Sequence, residues 1–239
     1  MPAERYFVNN HLSDAETVFV EDQEFHHLCN VMRTKPGDRI EIVNGKWQLA
    51  TGVVQKLGKK SASVSITSVE TRFPEGKTPI ILAQAIPRFN RLEFILEKAT
   101  ELNVSEIWLF PGEISEKEHF TPNQQNRMSQ IAISAMKQCG RLDLPEIKLM
   151  PPLKEWKTFY PSSFFGDTRK EAPFLWEIST KPASEEPRIV FIGPEKGFHP
   201  SEIDLLEKKI HAKGIKLHSN ILRVDTASLA ALCYLGATL

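Results

Sequence analysis

Apolar and polar positions follow two different periods along this chain, and the change falls near residue 73. From Arg39 to Val43 they alternate in twos, the mark of a strand with one buried face, and Asn44-Gly45 behind them is a hairpin turn signal. Trp47 to Val54 and Ser61 to Thr67 continue the β pattern, with one short helix expected over Glu24–Met32. A run of short strands like this closes most naturally as a small β-barrel.

Phe73–Pro79 holds two prolines and a glycine and reads as a linker. Beyond it, Pro79-Ile-Ile-Leu-Ala-Gln-Ala85 reads as a strand of the buried type, and Leu92, Ile95, Leu96, Ala99 and Leu102 recur at helical spacing. Glu106–Phe110 reads as a strand, a helix starts at Pro122 and runs to about Cys139, and Arg188–Ile192 is a third strong strand. Strands alternating with helices predict an α/β domain with a mostly parallel sheet. The expected division is therefore 1–72 and 73–239, with no internal repeat and no definite layout for the proline-rich 151–187. Near the end, a short strand from Lys216 leads to a helix starting at Asp225 or Thr226, both good caps. That helix is apolar nearly all round, which predicts burial.

Composition narrows the function classes. Apolar residues make up 41% and charged residues 25%, as in ordinary globular proteins. The 30 basic and 30 acidic residues cancel, which removes the argument from an overall basic balance for a nucleic-acid binder and leaves local patches to decide. Cys29, Cys139 and Cys233 have no paired spacing, so neither a disulfide framework nor a zinc site is indicated, and each reads as a small buried hydrophobe. The N-terminus lacks a signal-peptide pattern and no apolar run reaches membrane-spanning length, so a soluble cytoplasmic protein is expected.

Several stretches raise chemistry. Gly52–Ser61 fails as a phosphate loop: five residues separate its glycines instead of four, and a strand follows where a helix is needed. Ile192-Gly-Pro-Glu-Lys-Gly-Phe198 joins a strand to a helix and matches neither the phosphate-loop nor the dinucleotide spacing. It reads equally as a plain turn and as a cofactor loop. Arg223, just before the closing helix, is expected at the mouth of the same sheet, with an anionic ligand or a structural carboxylate as partner. His26 and His27 are adjacent on a helix, so their side chains diverge and no metal is indicated. Gly140-Arg141 reads as a glycine helix stop with a cation at the C-terminus, and Lys98 with Glu101 as a solvated face.

Taken together these motifs carry a resemblance. Arg5-Tyr-Phe7, His27-Leu-Cys-Asn-Val-Met-Arg33 with Gly37-Asp38, Glu97-Lys-Ala-Thr-Glu-Leu102, Gln138-Cys-Gly-Arg141, the Ile192–Phe198 loop, and Ile221-Leu-Arg223 with Thr226-Ala227 resemble the ribosomal RNA small subunit methyltransferase E family of the SPOUT class, in order and spacing. The resemblance implies an N-terminal PUA-like β-barrel that binds RNA and a C-terminal α/β methyltransferase domain carrying a trefoil knot. It implies S-adenosylmethionine as methyl donor, held by Ile192, Gly193, Pro194, Glu195, Gly197, Phe198, Leu217, Ile221, Leu222, Arg223, Thr226 and Ala227. The implied partners are 16S rRNA in the assembled small subunit and a second copy of the chain, with no metal and no membrane. The implied reaction methylates N3 of one uridine. Arg223, Arg141 and Glu101 are the candidates for handling its charge, and Arg5, His27, Arg33, Lys98 and Gln138 for contacting RNA.

The sequence departs from the family at Lys196, where a glycine is usual, and at His199, His218, Asn220 and Asp225. If position 196 requires positive φ, its lysine costs about 1 kcal/mol relative to glycine. Two rival readings follow: a non-catalytic RNA-binding assembly factor that has kept the fold, and a related SPOUT enzyme acting on another rRNA or tRNA site.

Overall fold

The computed structural model describes residues 5–14, 16–73, 78–157, 160–178 and 186–237. Most of the expected linker, residues 74–77, lies outside them. Two compact units emerge: Met1–Glu75 with Ile133–Leu144, and Gly76–Ala132 with Pro145–Leu239.

In the first unit the strands are β1 (Arg5–Phe7), β2 (Thr17–Glu21), β3 (Arg39–Val43), β4 (Gln48–Leu57) and β5 (Ser61–Thr71). They form one sheet in the order β1-β3-β4-β5-β2, antiparallel except for the β1–β3 pair. Two register shifts in the long β4–β5 ladder bend it, as bulges do, and the sheet curls into a half-barrel with β1 and β2 as its edges. Alternation then does its work: Val18 and Val20, Ile40 and Ile42, and Ala62, Val64 and Ile66 point into one core with Tyr6 and Leu28. The expected helix over 24–32 is a short α1 (Asp22–His26) continued by a π-helical turn over His27–Val31. Arg33 ends it at φ 55, while Thr34 N donates back to Leu28 O at 3.1 Å.

The second unit holds β6 (Ile80–Ala85), α2 (Phe89–Glu101), β7 (Glu106–Phe110), the first part of α3 (Pro122–Cys139), β8 (Glu146–Leu149), β9 (Ser163–Gly166), β10 (Arg188–Ile192), α4 (Pro200–Lys208), β11 (Lys213–Ile215) and α5 (Val224–Ala237). Its six strands are all parallel, in the order β11-β9-β10-β6-β7-β8. Every residue of β6 and β10 is buried, because helices cover both faces of a parallel sheet. Leu82, Leu109 and Val190 face α2 and α5, while Ala83, Phe110 and Phe191 face Trp156 and the α4 side.

Three expectations are corrected. The last strand is Lys213–Ile215, before Lys216, and the helix after it begins at Val224. That helix is covered on one side only: Ser228, Ala231, Leu232 and Leu235 are buried, whereas Cys233 and Ala237 are exposed. One layer of helix on a sheet has an inner face and an outer one, and nothing among the described residues covers the outer one. Of the three cysteines read as buried, Cys139 and Cys233 are exposed and Cys29 is half-buried. No helix among the described residues is long and apolar enough to cross a membrane.

Candidate functional site

Strand order in the second unit reverses between β10 and β6: β7 and β8 continue to one side, β9 and β11 lie to the other. Open parallel sheets take their ligands at such a point, beyond the C-terminal ends of the strands. To one side of that point a cavity of about 300 Å³ opens beyond the ends of β9, β10 and β11, lined by Gly166–Thr168, Ile192–Phe198, Ile215–Leu222, Val224 and Ala227. Gly166, Ile192 and Ile215 are the last residues of their strands, so three consecutive loop departures make the walls.

The Gly193–Phe198 loop is close-packed main chain. A Cβ on Gly193 would sit 3.0 Å from Gly197 C and 3.1 Å from Phe198 N, too near for any side chain without backbone movement. Gly197 N donates to Pro194 O at 2.8 Å, and Gly197 takes φ 79. Lys196 does not have positive φ; the position that needs it holds glycine. Lys196 is exposed at the rim, so its side chain costs the turn nothing.

Polar groups behind the loop fix its ends. Gln84, fully buried at the end of β6, donates from Nε2 to Ile192 O and Gly193 O, both at 3.3 Å. Glu195 Oε1 accepts from Arg88 N at 2.9 Å. Past the loop, His199 Nδ1 caps α4 by accepting from Ser201 N at 3.3 Å. Glu202 accepts from His199 N at 2.9 Å and from Glu113 N at 3.2 Å, tying the loop after β7 to the start of α4. Burial pushes the Glu202 carboxyl above the usual carboxylate range, against the opposing pull of those two N–H donors.

On the other wall, Asn220 N donates to His218 Nδ1 at 3.0 Å, and Ile221 stands 85% exposed over the opening. Asp225 is buried at the first turn of α5, where it pairs with Arg91 at 2.8 Å and accepts from Thr226 N.

The expected residues fall into three groups. Ile192, Gly193, Pro194, Glu195, Gly197, Phe198, Leu217, Ile221, Leu222 and Ala227 line the cavity; Arg223 and Thr226 stand beside it without lining it. Arg223 is exposed and has no ion-pair partner among the described residues, so the structural carboxylate expected for it is not seen. Glu101 is held by Lys98 at 2.8 Å, away from the lining. Arg141 belongs to the first unit, where Asp143 grips it through two bonds of 2.8 and 2.6 Å and its side chain is 6% exposed. Arg5 is likewise committed, to Glu41 and to Gly140 O, both at 2.8 Å. His27, Arg33 and Gln138 are exposed in the first unit. Among the described residues no group of His, Cys, Asp and Glu is placed to hold a metal.

Gly166, Asp167 and Thr168 line the cavity without having been anticipated, as do Lys216 and Ser219. The signal was present: Ser163-Phe-Phe-Gly166-Asp167 is a short apolar run ending in glycine. Ser163, Phe164 and Phe165 are buried in succession and sit in a proline-rich frame, so no alternation marks them.

A family model described as an RNA methyltransferase domain matches residues 74–236, and one described as an RNA methyltransferase PUA domain matches residues 20–67. The ribosomal RNA small subunit methyltransferase E of Rickettsia conorii is 26% identical over 235 residues, covering 97% of this chain and 94% of that one. The Bacillus subtilis protein of the same name is 26% identical, covering 96% and 94%. Among solved structures, the Neisseria gonorrhoeae member, bound to S-adenosyl methionine, superposes with a TM-score of 0.86 at 26% identity over 99% of this chain and 98% of that one. With a domain match over most of its length and relatives along nearly all of it, the chain belongs to the ribosomal RNA small subunit methyltransferase E family.

Proposed function

We propose that this chain transfers a methyl group from S-adenosylmethionine to N3 of one uridine of 16S rRNA in the assembled small subunit. The observation that carries the reading is the cavity beyond the ends of β9, β10 and β11, closed by main chain at Gly193–Phe198, whose two lining lysines are the exposed Lys196 and the half-buried Lys216, the latter held by Lys170 O. A phosphate ligand asks for a cationic or amide cage, whereas an adenosyl group asks for close backbone and apolar walls. The volume of about 300 Å³ sits at the low end of the roughly 300–1,000 Å³ of small-molecule sites. The relatives named above supply the substrate class.

S-adenosylmethionine brings an already activated sulfonium methyl, which leaves position and electrostatics to the protein. Gly193, Gly197 and the Leu217–Leu222 wall hold the adenosyl part, and the Glu195 carboxylate offers a counter-charge to a cationic ligand. The N3 proton of neutral uridine passes to solvent water before attack, and the exposed Arg223 guanidinium stabilises the uracil anion that results. N3 lies on the pairing edge, so the base is presented unpaired or flipped out. Residues 1–72 act as the RNA-positioning domain, with His27 and Arg33 on its surface and Gln138 exposed on the 133–144 stretch that clusters with it, and residues 73–239 as the methyltransferase domain. Two copies pair through the open side of α5, and the reaction takes place in the cytoplasm.

The test incubates the protein with labelled S-adenosylmethionine and small subunits lacking the modification, then maps the product by mass spectrometry. Label at uridine N3 is expected. No incorporation beside a competent control enzyme rejects the activity, and label at another nucleotide rejects the site. Arg223→Ala is expected to lose most turnover with the Tm unchanged.

A further inference from the structure

Beside the cavity, in the stretch the sequence left without a layout, two aromatic rings lie flat on one another. Phe174 and Trp176 stack with centroids 4.3 Å apart and planes 14° apart, and Trp176 is 53% exposed. The segment beneath them is firmly held. Leu175, between the two rings, is 1% exposed in the main core. Its N–H donates to Lys216 O at 2.9 Å, and Lys216 N donates to Pro173 O at 2.7 Å. A one-turn 3₁₀ helix over Leu175–Glu177 is closed by Phe174 N donating to Glu177 Oε2 at 2.9 Å.

With Leu175 doing the anchoring, Trp176 is left as a large, rigid, half-solvated ring that the fold does not need for its own packing. Lys216 connects this feature to the cavity. It lines the cavity, and its ammonium lies 5.8 Å from the Phe174 ring centroid while donating to Lys170 O at 2.7 Å. An exposed aromatic stack with an adjacent cation is what proteins offer to unpaired bases, whose flat faces stack regardless of sequence. Flipping out a target base also strips its neighbours of stacking partners, so a platform next to the reacting site stabilises the opened strand.

We infer that Phe174 and Trp176 form a stacking platform for an unpaired base of the RNA substrate, adjoining the cofactor cavity through Lys216. The inference rests on the reading of this chain as an rRNA methyltransferase, and the experiment separates the two. Trp176→Ala and Trp176→Phe are compared with wild type for binding to small subunits lacking the modification and to a single-stranded oligouridine of about ten nucleotides. Loss of one stacked base corresponds to roughly 5- to 100-fold weaker binding. Trp176→Ala is expected to show that loss in RNA affinity and in KM for subunits, with the affinity for S-adenosylmethionine, the Tm and the sedimentation unchanged. Trp176→Phe is expected to stay close to wild type, and oligouridine to quench wild-type tryptophan fluorescence but not that of Trp176→Ala. Unchanged RNA affinity in Trp176→Ala overturns the platform. A shift of that variant to a smaller assembly also overturns it, because the ring would then be a contact between copies. If wild type transfers no methyl while Trp176→Ala still weakens RNA binding, the activity fails and the platform stands.

Discussion

Ser228 Oγ donates to Gln84 Oε1 at 2.7 Å, a fully buried bond between residues 144 positions apart. It orients the Gln84 amide so that Nε2 faces Ala85 O, Ile192 O and Gly193 O. Helix α5 thus sets a side chain of β6, which in turn fixes the point where the Gly193–Phe198 loop leaves β10.

Gln84→Leu removes the donor from two loop carbonyls and leaves them buried. An unsatisfied buried polar group costs about 1–3 kcal/mol, which for a chain of this size lowers the Tm by roughly 2–10 °C. Calorimetry is expected to show weaker S-adenosylmethionine binding as well. A variant with wild-type Tm and affinity would mean that water replaces the amide without loss.

Gly193→Ala and Lys196→Gly should behave oppositely. The alanine Cβ lands 3.0 Å from Gly197 C, so the loop has to open, and S-adenosylmethionine affinity is expected to fall at least about tenfold, or 1.4 kcal/mol. Lys196 has ordinary φ and points to the rim, so glycine there is expected to change affinity by less than about threefold, under 1 kcal/mol. A large gain in Lys196→Gly would show that the lysine weakens the site after all.

Glu202 gives a pH dependence whose sign can be worked out. Its carboxyl pKa is raised in the folded state by burial, so between the ordinary carboxylate value and the raised one the native protein holds a proton that the unfolded chain has lost. Stability from this group is therefore greatest below that window and declines as pH rises through it. Glu202→Gln removes the titration, though it also turns an amide N–H₂ towards one of the two backbone donors. The Tm deficit of the variant is expected to be largest in acid and to shrink towards neutral pH. A deficit that stays constant across that range would remove the assignment.

The outer side of α5 carries Leu229, Ala230, Cys233 and Ala237, all exposed or half-buried in the single chain. If two copies pair there, Cys233→Glu places a charge in the interface and should give a monomer in sedimentation with the fold intact. A dimer unaffected by that substitution would move the interface elsewhere.

Much of this was legible before the fold was in hand. The bounds of α3 and β10 follow from proline, glycine and apolar spacing, whereas the Ile192–Phe198 loop taken alone reads equally as a plain turn, and only the order of all the motifs together favours a cofactor loop. What escaped notice depended on partners distant in sequence or on burial from both sides. Arg5 reads as a free cation until Glu41, 36 positions away, is found on it. Helix α5 reads as buried because an apolar surface does not reveal whether it meets its own core or nothing. Lys196 looked like a defect because the left-handed position of the turn could not be placed on residue 196 or 197 from spacing alone.

Pairing of β6 with β10 has a consequence for how the protein is made. Gln84 and Ile192 are neighbours in the sheet but 108 positions apart in the chain. At about 5–20 residues per second, β6 emerges roughly 5–20 s before the strand that covers its edge exists. During that interval a strand that is apolar but for Gln84 has one side unpaired, the circumstance in which nascent chains stick to one another. The cavity, too, comes into being only with the last strand and helix. A truncated chain of this protein would present the sticky edge and none of the binding site.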